Sequence, residues 1–313
     1  MNNCLVLIFH REENAYIFEN ILIGLKKKYT LVSMQELEKI ICEKKKVKNI
    51  CHITFDDGEE SFYRIVYPLL KKHSVPVTLF VSELIASSES NFWFQEIEEF
   101  SPIKFKEFII SKMSLTASKF KNITNSSILK CLHINKIKEL ISNFKLQENL
   151  KNSSFKNMSL NEILEVESSN LVTIGAHSQN HPILFNETNE SSLFEITNSI
   201  KELEKILGHP IKYFAYPNGE EGLDFGEREV DILKKENISL AFSTEYDHLS
   251  YEMNKYKIPR MYFPQFAGLK SSNPILLTRL SIGKKLNRLF FKRRTEAVMR
   301  KECLLILNNK YKM

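Results

Sequence analysis

The chain has 313 residues, 43% hydrophobic and 26% charged, which excludes disordered, collagen-like and low-complexity classes. Nine glycines and nine prolines are too few for a propeller or a turn-rich β-sandwich, so a helix-rich α/β protein is expected. The net charge is +6, but the segment from Lys284 to Lys312 holds ten Lys/Arg against two Glu, so the rest carries −2 and the basic character belongs to the tail.

The amino-terminal apolar run has no basic flank and is too short for a signal peptide or a membrane span. Five scattered cysteines, Cys4, Cys42, Cys51, Cys131 and Cys303, form no CxxC pair and argue against a disulfide framework or a cysteine-based zinc site. A cytoplasmic protein is the expectation. Apolar, β-rich runs predict strands over 5–9, 49–55, 75–81, 171–176, 211–216, 238–243 and 256–263. Helical stretches separate them, and two begin with a Ser-x-x-Glu capping box, Ser33 with Glu36 and Ser159 with Glu162. About seven strands alternating with helices predict a distorted, incomplete (β/α) barrel over residues 1–268. Residues 91–158 interrupt that rhythm after Phe92, Trp93 and Phe94 and read as a mainly helical insertion, either a lid over the substrate side or a surface elaboration. Residues 269–313 form a basic tail, and no internal repeat is apparent.

The densest chemical signal is TFDDG at 54–58, where two carboxylates end a strand. Strand ends are where barrel enzymes keep their catalysts, and neighbouring side chains there diverge, so Asp56 and Asp57 can do different jobs. The plainer alternative is an ordinary Asp-Gly turn. The second signal is AHSQNHP at 176–182, again after a strand: in a helical turn His177 and His181 would face one side and hold one divalent ion. With one Asp they would leave coordination positions open for water and substrate.

TFDDG and HSxxH together, in this order and each after a strand, resemble the polysaccharide deacetylase family, the NodB homology domain of carbohydrate esterase family 4. The resemblance spans roughly residues 5–263 and fails in the insertion and the tail. It implies a distorted (β/α) barrel that removes N-acetyl groups from amino sugars with one divalent metal, often zinc. Carried over by position, it makes Asp57, His177 and His181 the metal ligands and Asp56 the general base, with Ser178 bonding a ligand histidine or shaping the loop. FAYPNG at 214–219 resembles the family's Pro-x-Gly loop and implies an oxyanion contact from Tyr216, Pro217 and Gly219, the donor being the Tyr216 N–H. This chain has Ala215 and Tyr216 where many relatives carry an Arg nearby, so Arg260 is the substitute expected to orient the catalytic Asp. It also lacks a Leu-x-His motif after residue 260. His10, in IFHR, resembles the start of the exopolysaccharide deacetylase branch and is the expected general acid.

The expected activity is metal-dependent N-deacetylation of an N-acetylated sugar in a glycan or glycan precursor. The alternatives are an amidohydrolase on a non-sugar amide and a non-catalytic glycan-binding accessory protein. The stretch 282–294 places Leu286, Leu289 and Phe290 among Lys and Arg as a basic amphipathic helix would, which suits contact with an anionic membrane surface or docking on the barrel. No nucleic-acid partner is expected, because no recognition motif or stacking platform accompanies the charge.

Overall fold

Parallel pairing accounts for the near-continuous apolar runs, because strands covered on both faces have no solvent side to make polar. The computed structural model describes residues 3–151, 153–263 and 296–311. Its strands are β1 (Leu5–Phe9), β2 (Thr30–Leu31), β3 (Ile50–Phe55), β4 (Val77–Val81), β5 (Val172–Ala176), β6 (Tyr213–Ala215), β7 (Leu240–Phe242) and β8 (Met261–Tyr262). They pair in the order β7-β6-β5-β4-β3-β1-β8, all parallel, and the two-residue β2 adds to the start of β3. β2 is too short to leave an alternation in the sequence.

The strand expected over 256–263 is reduced to two residues for a definite reason. Ile258 bridges Phe242 of β7, through Ile258 N–H to Ala241 O (2.9 Å) and Ser243 N–H to Ile258 O (2.8 Å). Pro259 then has no N–H to continue a ladder, and Met261 and Tyr262 pair with Leu7 and Ile8 of β1. The segment thus crosses from one sheet edge to the other, and the architecture is a distorted, incomplete (β/α) barrel.

Alternate residues of β3 serve different cores. Cys51, Ile53 and Phe55 pack against Phe18, Leu22 and Leu25 of α1 (Ala15–Lys28) and Leu70 of α3 (Tyr67–His73). His52 and Thr54 face the barrel interior, where Phe80, Tyr213, Leu240 and Phe242 form a second cluster with Met34, Leu37 and Ile40 of α2 (Met34–Cys42). The outer layer is completed by α4 (Glu83–Ser87), then after the insertion by α10 (Leu160–Ser168), α11 (Asn189–Leu207) and α12 (Glu227–Lys235). Both predicted capping boxes form, Ser33 with Glu36 on α2 and Ser159 with Glu162 on α10.

The insertion is helical: α5 (Trp93–Glu96), α6 (Pro102–Lys112), α7 (Ala117–Phe120), α8 (Asn125–Leu129) and α9 (Ile134–Gln147). It has its own core, in which Phe100, Phe105, Phe108 and Phe144 meet ring to ring. Helix α13 (Glu296–Tyr311) joins that core through Cys303 and Leu307, and is fixed by ion pairs Lys130–Glu296 (2.6 Å) and Arg300–Asp224 (2.5 Å). This part of the tail therefore docks on the insertion. The basic run over 282–294 lies outside the described residues. Among those residues, no helix is long and apolar enough to cross a membrane.

Candidate active site

Asp56 continues β3 by one step, its N–H donating to Phe9 O (3.0 Å), which puts its side chain on the interior face with His52 and Thr54. Asp57 then turns the chain with φ +71° and Gly58 with φ +70°. A side chain at Gly58 would stand 3.0 Å from Val81, so glycine is needed for room as well as for conformation. The two carboxylates consequently diverge, as expected from their position.

Asp56 is clamped by Arg260: Nη1 donates to Oδ1 (2.7 Å) and Nη2 to Oδ2 (2.8 Å). The guanidinium is fully buried, donates further to Ser243 O (3.0 Å) and Thr54 Oγ1 (3.1 Å), and lies over the rings of Phe80 and Phe242. Burial alone would raise the Asp56 pKa, but Arg260 and His177 outweigh it and hold the carboxyl below the usual carboxylate range. The arginine expected from the end of the last strand is thus the one that meets this aspartate.

His177 directly follows β5, its N–H donating to Val81 O (3.1 Å). Its Nδ1 donates to Ala215 O (2.7 Å), which turns Nε2 toward the Asp57 carboxylate at 3.5 Å. His181 Nε2 reaches the same oxygen at 3.6 Å. Burial pushes the His181 pKa down to about 3 despite the pull of Asp57, so its imidazole is neutral with a lone pair to offer at neutral pH. His177 is also pushed down by burial, but Asp56 and Asp57 more than offset this and raise it. Asp57 is held low by the two histidines against the opposing effect of burial.

The histidine pair does not come together through a helical turn. Residues 177–183 are non-helical, with Ser178 at φ +61° and His181 at φ +54°, and Pro182 disfavours helical backbone at the residue before it. The rings nevertheless meet edge to face at 4.9 Å. Ser178 bonds neither histidine: its buried hydroxyl has no partner among the described residues, and its backbone holds a positive φ.

Candidate ligand atoms of Asp57, His177 and His181 lie within 4.8 Å of one another, and Asp57 Oδ1 is buried without a hydrogen-bond partner among the described residues. An orphaned carboxylate oxygen facing two imidazole nitrogens fits a divalent cation. The donor set of two nitrogens and one oxygen suits zinc.

These residues share a cavity of about 260 Å³ with His10, Phe94, Ser126, Lys130, Asn218, Thr244 and Tyr262. His10 lies at the rim of this cavity, its ring stacked on Tyr262 (5.8 Å, 7°). The loop 216–219 corrects the sequence reading. The Tyr216 N–H donates to Phe242 O (3.1 Å) and its ring stacks on Phe225 (3.7 Å), so it is engaged in the barrel wall and does not line the cavity. Pro217 and Gly219 do not line it either; Gly219, at φ +76°, lies so close to Thr244 that a Cβ would come within 2.9 Å of its N. They shape the turn that presents Asn218, whose Nδ2 is buried in the cavity wall without a partner among the described residues.

The sequence reading also missed Phe94, Ser126 and Lys130, which the insertion contributes. The one available signal was the aromatic triplet at 92–94 in an otherwise Lys- and Asn-rich stretch.

The sequence model of the family described as Polysaccharide deacetylase matches residues 43–238. No curated protein matches the sequence. Among solved structures the chain is similar to the deacetylase PplD of Streptococcus pyogenes in complex with acetate (17% identity, TM-score 0.55, 83% of this chain and 91% of that one). It is also similar to IcaB from Ammonifex degensii (19%, TM-score 0.56, 84% and 92%) and a de-N-acetylase from Aggregatibacter actinomycetemcomitans (15%, TM-score 0.53, 88% and 98%). At these identities the likeness is one of fold.

Proposed function

Since the chain belongs to the polysaccharide deacetylase family, we propose that it is a metal-dependent N-deacetylase that hydrolyses the acetamide of an N-acetylamino sugar in a glycan or glycan precursor. The observation that carries this reading is the placement of a buried Asp-His-His cluster beside an arginine-clamped second aspartate in one cavity. Asp57, His177 and His181 would hold one divalent ion, zinc on the chemistry of the donors. When bound, such an ion supplies Lewis acidity toward the amide carbonyl and lowers the pKa of water.

The residues divide the remaining work. Asp56, kept ionised and oriented by Arg260, takes the proton of the attacking water. Asn218, a donor in the cavity wall with no partner among the described residues, stabilises the oxygen of the tetrahedral intermediate. His10, at the rim, returns a proton to the leaving amine nitrogen, giving acetate and the free amino sugar. Asp56 and His10 thereby act as the base and acid of one hydrolysis.

Acetate release from nucleotide-linked, lipid-linked and polymeric N-acetylhexosamines, and from simple non-sugar amides, tests the reading. At least one sugar substrate should release acetate, a chelator should abolish the release and zinc should restore it. Release only from non-sugar amides would make the chain an amidohydrolase of another kind, and release from none would favour a glycan-binding accessory role.

A further inference from the structure

The chain has a single tryptophan, Trp93. It is buried in the insertion, yet its indole Nε1–H crosses to the barrel and donates to the backbone oxygen of His181 (2.9 Å). The residues on either side converge on the same histidine: the rings of Phe92 and Phe94 meet the His181 imidazole edge to face at 5.5 and 4.9 Å. Three consecutive residues of the insertion thus engage one residue of the barrel.

His181 needs such support more than its partner does. His177 is oriented by a hydrogen bond from Nδ1 to Ala215 O, whereas His181 Nδ1 is buried without a partner among the described residues. His181 also holds φ +54°, a conformation that strains a non-glycine residue and persists only where the surroundings enforce it. The preceding loop is held from the barrel side: Ser82 Oγ donates to Gln179 O (2.5 Å), and Glu195 accepts from the N–H groups of Gln179 (3.1 Å) and Asn180 (2.8 Å). Those contacts stop one residue short of His181, and Trp93 supplies the anchor at the ligand itself.

We propose that Phe92, Trp93 and Phe94 are positioning residues for His181, the indole fixing its backbone and the phenyl rings its imidazole. The insertion then sets the metal affinity of a site whose ligands all come from the barrel. This rests on the reading of Asp57, His177 and His181 as metal ligands.

The test is a zinc titration of the full chain, followed by calorimetry on the unaltered protein, Trp93→Phe, Phe94→Leu and Phe105→Leu, and by tryptophan emission on the three that keep Trp93. Circular dichroism melts establish that each variant is folded. Phe105 lies in the insertion core without contact to His181, so its variant loosens the insertion while leaving the indole bond in place. The unaltered chain should bind one zinc with a change in emission, because the reporter is bonded to a ligand residue. Trp93→Phe should bind the same stoichiometry with an affinity lower by roughly 10–100-fold, the usual cost of losing a supporting contact around a ligand. Phe94→Leu should weaken binding in the same direction and carries the test if Trp93→Phe does not fold. Phe105→Leu should bind as the unaltered chain does. Unchanged affinity in Trp93→Phe and Phe94→Leu, or equal weakening in Phe105→Leu, would overturn the proposal. No binding by the unaltered chain would overturn the metal reading beneath it.

Discussion

Arg260 decides what Asp56 is able to do. By donating to both carboxylate oxygens it keeps the group ionised and fixes its plane, and the remaining lone pairs can accept a proton. Asp56→Asn preserves the shape but cannot act as a base, so the variant should retain zinc and lose activity by about 10²–10⁴-fold, roughly 3–5 kcal/mol of barrier. Metal content by atomic absorption and acetate release under saturating substrate check this together. Loss of zinc in Asp56→Asn but not in Asp57→Asn would mean that the two aspartates have exchanged roles. Asp56, Asp57 and His177 were legible in the sequence because each follows an apolar strand and falls in a motif that resembles the family's, and Arg260 because the family's usual arginine is missing elsewhere. Asn218 was not, because the choice between its amide and that of Tyr216 depends on which one the neighbouring strand engages.

The insertion and α13 act as one element. Their shared core is joined at its edge by Arg300, which donates to Asp224 (2.5 Å), to Leu223 O (3.1 Å) and to Lys130 O (3.3 Å). Burial raises the Asp224 pKa and Arg300 opposes that rise, so the arginine is what makes a buried carboxylate tolerable there. Arg300→Met should cost about 3–5 kcal/mol in urea denaturation, and adding Asp224→Asn should recover part of that loss by removing the stranded charge. A single variant as stable as the unaltered protein would show that the pair does not hold α13. The helical nature of residues 91–158 was legible from their polarity and lack of strands. Their contact with the cavity was not, since it rests on long-range packing of Phe94, Ser126 and Lys130 that no local pattern encodes.

At the scale of the whole barrel, the interior carries an imidazole remote from the cavity rim. His52 is fully buried, with Nδ1 donating to Val32 O (2.8 Å) and Nε2 accepting from Thr78 Oγ1 (2.9 Å), an arrangement only the neutral ring can make. Burial pushes its pKa down from 6.5 to about 4. The unfolded chain therefore takes up a proton first as pH falls. Stability contributed by the neutral ring is complete above about pH 6.5 and declines toward pH 4, by on the order of 2 kcal/mol at pH 5. Denaturation of His52→Gln should show a smaller loss between pH 7 and pH 5 than the unaltered chain, and equal slopes would refute the assignment. Barrel and strand positions were legible because both faces are apolar, whereas closure was not, since Ile258 and Met261 serve opposite edges within four residues. That closure bears on the order of events during synthesis. The proposed ligands lie between residues 57 and 181, but the arginine that aligns Asp56 arrives with the strand that joins β1, 204 residues after its partner. A chain emerging from its amino terminus therefore completes the three proposed ligand positions before it gains the arginine that aligns Asp56.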